Sequence, residues 1–173
     1  EIFPFVREKS RNMHPNDIGV LYGAWWLHEQ EVRGMDHVGF KEVVKPEKHP
    51  TLCKIVDWFE WADEPQPIIM EKNVGNFETY HVDTMDGHPS GYGVKELARI
   101  IIHLQDWEPG QFLMYGNQQF DRWKAGDIHK FDWPNIPHAT ANASNKPRPM
   151  LVITGVMSDI TREILSKEIK KKI

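Results

Sequence analysis

The apolar positions of this chain change period part-way along it. Leu52, Ile55, Val56 and Phe59 fall at i, i+3, i+4 and i+7, a spacing that stacks them on one stripe of an amphipathic helix. Pro50 stands at its first turn, where a missing N–H does no harm. Ile18, Leu21, Tyr22 and Trp25 repeat the spacing after Asn16-Asp17, although Gly19 and Gly23 weaken a helix there. Asp63-Glu64-Pro65-Gln66-Pro67 ends this helical part. From Ile68 to Val156 the chain runs in short apolar or alternating stretches, which predict strands at 68–74, 77–83, 97–105, 111–116, 119–124, 127–132, 138–142 and 149–156. Turn-formers such as Gly75-Asn76, Gly116-Asn117, Ala125-Gly126 and Ser144–Pro147 separate them. Eight strands so spaced predict a mainly β fold with flanking helices, of the barrel or jelly-roll kind. A last helix is expected over Asp159–Lys172, with Ile160, Ile164 and Leu165 on its apolar side and Lys170-Lys171-Lys172 at its negative end.

At 173 residues the chain is expected to form a single domain, with 1–67 as helical support, 68–156 as the strand-built core and 157–173 as a C-terminal helix. No apolar run approaches the ~20 residues needed to span a bilayer, so no membrane span is expected. The net charge of −4, from 21 basic against 25 acidic residues, disfavours a nucleic-acid or anionic-membrane binder. The single cysteine, Cys53, excludes an internal disulfide and points to a reducing, cytoplasmic setting. The first residue is Glu1 rather than Met, from which an upstream extension of the natural chain is expected.

Candidate chemistry centres on Phe77-Glu78-Thr79-Tyr80-His81-Val82-Asp83. Strand period two puts Phe77, Thr79, His81 and Asp83 on one face and turns Tyr80 and Val82 towards the core. An imidazole and a carboxylate so placed are two of the three ligands of a facial Fe(II) triad. With nine histidines in the chain, an isolated H-x-D carries little weight. The rest of the pattern adds more: His138 lies 55 residues after Asp83, and Arg148 ten further on, across one hairpin, on a face shared with Met150 and Val152. His88, in a stretch with Gly87, Gly91 and Gly93, is a weaker third ligand. That stretch reads as a substrate-covering loop with Met85 and Tyr92 as contacts. His129, beside Lys130, is expected to be exposed, Asp127 to serve a turn, and Trp123 and Trp133 to be packing residues placed where they could line a pocket.

Together, H-x-D, a distal histidine and an arginine about ten residues later resemble the signature of the Fe(II)/2-oxoglutarate-dependent dioxygenases. The resemblance covers roughly 68–156. Arg99–Trp107, Pro109–Leu113 and Gly126-Asp127 with Phe131 further resemble the prolyl-hydroxylase-like and aspartyl-hydroxylase-like branches. It implies a double-stranded β-helix, the jelly roll shared with cupin barrels. It also implies that His81, Asp83 and His138 are the catalytic iron ligands, and that 2-oxoglutarate and O₂ take the three positions left open. Arg148 would hold the far carboxylate of 2-oxoglutarate through its planar, always-ionised fork. His103 stands where the branch often has a tyrosine contacting the cosubstrate, and Met150 where some members have Ser or Thr. The implied reaction hydroxylates a small molecule or a peptidyl or free amino acid. Halogenation is disfavoured because Asp83 stands where a halogenase needs Gly or Ala.

A second reading is a cupin-type metal-binding isomerase or binding module. Gly126-Asp127, Pro134, His138 and Asn142 resemble the second cupin motif, whereas the first motif wants H-x-H and Arg148 would have no task. A third is a barrel with no catalytic role. Substrate identity and oligomeric state are not legible in the chain.

Overall fold

The computed structural model describes residues 40–83 and 96–167. Its elements are β1 (Phe40–Val43), α1 (Pro50–Trp58), β2 (Gln66–Lys72), β3 (Phe77–His81), β4 (Leu97–His103), β5 (Gln111–Tyr115), β6 (Gln118–Phe120), β7 (Ile128–Lys130), β8 (His138–Asn142), β9 (Arg148–Val156) and α2 (Asp159–Lys167). All strand pairings are antiparallel. They build a larger sheet in the order β1-β2-β9-β4-β7 and a smaller one in the order β3-β8-β5-β6. From β2 onward the chain passes back and forth between the two sheets, which is the winding of a double-stranded β-helix. The eight predicted strands are all present. The helix suggested around Ile18–Trp25, the segment carrying Met85, His88 and Tyr92, and Lys170–Lys172 lie outside the described residues.

Three expectations change. Residues 40–43 form a strand where only helix was expected, because its alternation is inverted: Glu42 is buried, near Lys48 and His49, while Val43 faces solvent. The turn at Ser144–Pro147 is not a hairpin. It carries the chain from β8 in the smaller sheet to β9 in the larger, so His138 and Arg148 come from opposite walls. Within α2, Ile160 is exposed, and Thr161 is the buried anchor, its hydroxyl donating to the Phe59 carbonyl at 2.8 Å.

The larger sheet is buried on both faces. Ile69, Ile100, Ile102, Leu151 and Ile153 form an outer layer with Val56 and Phe59 of the α1 region, and Ile164 and Leu165 of α2 pack against it. Burying a side chain of this size is worth roughly 1.5–3 kcal/mol, so the outer layer can hold the sheet while its inner face is left to polar groups. Gly155 belongs to the outer face, where a Cβ would stand 2.7 Å from the Trp61 ring. The inner face carries Lys72, Arg99, His103, His129, Arg148 and Thr154, as the cross-strand register requires. No helix among the described residues is long and apolar enough to cross a membrane.

Candidate metal centre and the polar lumen

A bulge makes the site. Along the β3–β8 ladder Glu78 pairs with Thr140 and His81 with His138, so three steps on β3 match two on β8. The extra residue turns Glu78 and His81 to the same side, the lumen, and sends Tyr80 and Val82 outward, where they are 52% and 37% exposed. The strict alternation expected from the sequence, with Phe77 and Thr79 beside His81 and with Tyr80 and Val82 in the core, fails for this reason. Direct pairing of His81 with His138 brings their rings to 4.3 Å between centroids.

Both rings are fixed by backbone carbonyls. His81 Nδ1 lies 2.8 Å from the Thr79 oxygen within the bulge, and His138 Nδ1 lies 3.2 Å from the Ile136 oxygen. A carbonyl only accepts, so each Nδ1 carries the proton and each Nε2 keeps a lone pair. Those Nε2 atoms turn to Asp83, at 3.4 Å from Oδ1 for His81 and 3.6 Å from Oδ2 for His138. One ligand atom from each of the three residues falls within 4.8 Å of the others. Two neutral imidazoles oriented through their far nitrogens, and one carboxylate, make a donor set that fits a divalent transition metal.

Asp83 lies just beyond the end of β3 and is held from the opposite sheet. Arg99 Nη1 donates to Asp83 Oδ2, Arg99 Nε donates to Thr154 Oγ1 at 3.1 Å, and the guanidinium lies 4.8 Å from the centre of the Trp133 ring. Burial lowers the Arg99 pKa to about 10, still far above neutrality.

The lumen continues away from the triad as a second polar region. Arg148 is fully buried, donating from Nη1 to the carbonyls of Phe112 at 3.0 Å and Ala141 at 3.5 Å and from Nη2 to Thr140 Oγ1. Its partners are all neutral, its Nε has none, and it forms no ion pair among the described residues. Burial lowers its pKa to about 10, with Glu78 acting the other way from a distance, so it is a desolvated cation with no direct ion pair among the described residues. His103 is also fully buried, stacked on Trp123 at 4.1 Å and edge-on to His129 at 4.7 Å. Burial first, then His129 and Arg148, press the His103 pKa down to about 2, so its ring is neutral. Both His103 nitrogens, the Tyr115 hydroxyl, the Trp123 N–H, His129 Nδ1 and Arg148 Nε are buried without protein partners. So many orphaned polar groups in one cluster mark a place for something polar.

Set against the sequence, His81, Asp83 and His138 meet as predicted, Arg148 reaches the lumen beside Met150 and Val152, and Asp127 serves its turn by accepting from the Lys124 N–H at 2.9 Å. His129 is half-buried in the lumen rather than exposed, because β7 pairs it with Ile101 on the inner face of β4. Asn142 holds the turn into β9, donating to the carbonyls of Lys72 and Lys146 at 2.8 Å each, so its place in a cupin-like motif is structural here. Sequence reasoning missed Arg99, Lys72 and Glu78. The signal for the first two was a charge within or ending an apolar strand: Arg99 alone in Ala98-Arg99-Ile100-Ile101-Ile102, and Glu71-Lys72 closing Ile68-Ile69-Met70.

No protein-family model matches the chain, and no curated protein matches it. Among solved structures it is similar to a Cupin 2 conserved barrel domain protein from Salinispora arenicola, at 12% identity over 75% of this chain and 84% of that one, TM-score 0.41. It is similar to a cupin protein from Bacteroides fragilis, at 14% identity over 70% and 80%, TM-score 0.42. A sugar phosphate isomerase of the cupin superfamily from Silicibacter pomeroyi matches at 10% identity over 66% and 59%, TM-score 0.41.

Burial of the histidines makes stability depend on pH. Burial, with His81 beside it, lowers His138 to about 4, and His103 lies near 2, against about 6.5 in an unfolded chain. On acidification the unfolded chain takes up these protons first. Stability is therefore full above about pH 7, declines as pH falls from about 6.5, and for His138 levels off below about 4. Between pH 7 and 5 each of the two histidines should remove about 2 kcal/mol from the metal-free protein. Urea denaturation of chelator-treated protein at the two pH values measures this, and equal midpoints would show that the rings are not buried neutral.

Proposed function

We propose that the protein is an Fe(II)- and 2-oxoglutarate-dependent oxygenase acting on a small molecule or on a peptidyl or free amino acid. The observation that carries this reading is the pairing of a His-Asp-His donor set with a buried arginine that makes no direct ion pair among the described residues, in the same lumen. A metal-binding module of the cupin type uses the first and has no need of the second. A five-carbon 2-oxo diacid needs both, a chelating end at the metal and a carboxylate at the far end.

In this reading His81, Asp83 and His138 hold the iron, His81 and His138 through Nε2 and Asp83 through one carboxylate oxygen. Arg99 occupies the carboxylate's Oδ2 side and keeps it from swinging away. Arg148 takes the far carboxylate of the cosubstrate in a charge-assisted, forked pair at a fully buried position. His103, neutral at any working pH, and the Tyr115 hydroxyl supply dipoles along the diacid, with Trp123 as one wall. Met85 and Tyr92, in the segment following Asp83, are the proposed substrate contacts. When bound, iron with 2-oxoglutarate and O₂ supplies an oxidative decarboxylation: C1 leaves as CO₂, the keto carbon becomes a carboxyl of succinate, and the other oxygen atom enters a substrate C–H bond.

The test is an anaerobic titration of the Fe(II)-loaded protein with 2-oxoglutarate, followed by admission of O₂. A visible charge-transfer band and slow release of succinate without substrate are expected. Metal binding without either moves the reading to the cupin-type isomerase or binding module. Succinate release accelerated by one compound of a metabolite or peptide library would name the substrate.

A further inference from the structure

Lys72 and Arg148 stand directly opposite each other in the β2–β9 ladder, and both are 0% exposed. Two cations in opposed positions repel, and burial removes the water that would screen them. One carboxylate answers them: Glu78, turned inward by the β3 bulge and paired with Thr140, accepts from Lys72 Nζ. Burial alone would raise the Glu78 carboxyl, but Lys72, joined by Lys41, holds it at about 2, so it is ionised. Thr140, its partner across the ladder, is also the hydroxyl that Arg148 Nη2 contacts, which places all three charges at one end of the lumen. Of the fully buried cations, Lys72 is answered by Glu78 and Arg148 is left over; Lys41 of β1, half-buried and open to solvent, also acts on Lys72 and Glu78 but is screened by water.

We propose that Glu78 is a specificity-determining residue: by neutralising Lys72 it limits this end of the lumen to one anionic charge, so that the site admits a terminal carboxylate and turns away a phosphate dianion. The proposal rests on the diacid reading above and deepens it. One carboxylate brings the Lys72–Glu78–Arg148 group to neutrality. A phosphate dianion overshoots by one charge and sets it beside the Glu78 carboxylate, which is 25% exposed but paired with the fully buried Lys72, where like charges are less screened than at the surface. Glu78→Gln keeps the shape and an acceptor for Lys72 but raises the surplus to two positive charges, the number a phosphate dianion satisfies.

Glutarate and inorganic phosphate at pH 8 are the probes, titrated into the chelator-treated full chain and followed by the fluorescence of Trp123, whose ring centre lies 5.6 Å from the Arg148 guanidinium carbon. Wild type should prefer glutarate, and Glu78→Gln should move the ratio of affinities towards phosphate by roughly tenfold or more. The double variant Lys72→Met/Glu78→Gln removes the pair together, leaves one positive charge, and should retain the wild-type preference. That variant decides the matter if Glu78→Gln alone does not fold. An unmoved ratio in folded Glu78→Gln, a lost preference in the double variant, or wild type that binds neither probe or favours phosphate would overturn the proposal. Glutarate lacks the keto oxygen that chelates a metal. Selectivity that follows the charge count therefore stands even where Fe(II) and 2-oxoglutarate give no chelate band, and a chelate band with an unmoved ratio removes only the role of Glu78.

Discussion

Asp83→Ala is expected to lower Fe(II) affinity by more than about 100-fold, since losing a mere outer-shell partner of a metal ligand already costs roughly 10–100-fold. Asp83 is the one anionic donor of the triad, the other two being neutral imidazoles whose protons are held by the Thr79 and Ile136 carbonyls. Removing it also turns the Arg99 guanidinium from the carboxylate's partner into a bare positive charge facing the metal. Both effects act in one direction. Anaerobic Fe(II) titration measures the affinity, and thermal denaturation gives a second readout that needs no turnover. Metal at 100 times its dissociation constant stabilises the wild type by about 2.7 kcal/mol, whereas the variant should melt at one temperature with or without metal. Unchanged stoichiometry and affinity in the variant would show that the ligand set is wrong.

The sequence carried the positions of the strands and the meeting of His81, Asp83 and His138 because both depend on local signals: turn residues between short apolar runs, and imidazole and carboxylate at fixed spacing. It misread what depends on a single added residue or on which sheet a strand joins. Period two predicts that Tyr80 points to the core, and the bulge between Glu78 and His81 reverses that while leaving His81 where it was needed. A hairpin between His138 and Arg148 would have put both on one wall. The crossing between sheets instead sets His81, Asp83 and His138 at one wall and Arg148 on the other, with a lumen between them. His129 read as exposed because its neighbour is Lys130, and only the β7–β4 register shows that it faces inward. Glu78 was invisible for a further reason: it is an ordinary surface residue by composition, and its meaning comes from partners across the bulge and the ladder.

The lumen keeps its charges in two separate groups. At the triad end Asp83 is matched by Arg99, so a bound divalent ion would retain its full double charge for ligands that are not part of the protein. At the other end Lys72 is matched by Glu78 and Arg148 is left over. The neutral groups His103, His129 and Tyr115 belong to the same polar lumen. The proposed ligand, a diacid, answers both groups by being negative at both ends.

Arg148→Met should therefore weaken 2-oxoglutarate far more than any ligand that lacks the second carboxylate. Leaving a buried carboxylate without its charged partner costs roughly 2–5 kcal/mol, which corresponds to roughly 30-fold to a few thousand-fold in dissociation constant. Pyruvate offers the same chelating end and no far carboxylate, so its affinity should scarcely move. Methionine fills most of the volume and leaves the Lys72–Glu78 pair in place, so the variant removes the surplus charge and little else. Stability supplies the control. The substitution takes hydrogen-bond donors from the Phe112 carbonyl and Thr140, worth about 1–3 kcal/mol, but it also removes a desolvated guanidinium that makes no direct ion pair among the described residues. The two contributions oppose each other, so the melting temperature of the ligand-free protein should stay near that of the wild type. A weakening shared equally by 2-oxoglutarate and pyruvate would assign Arg148 to the architecture of the barrel. A loss confined to the diacid, in a variant that melts normally, would assign it to the far carboxylate.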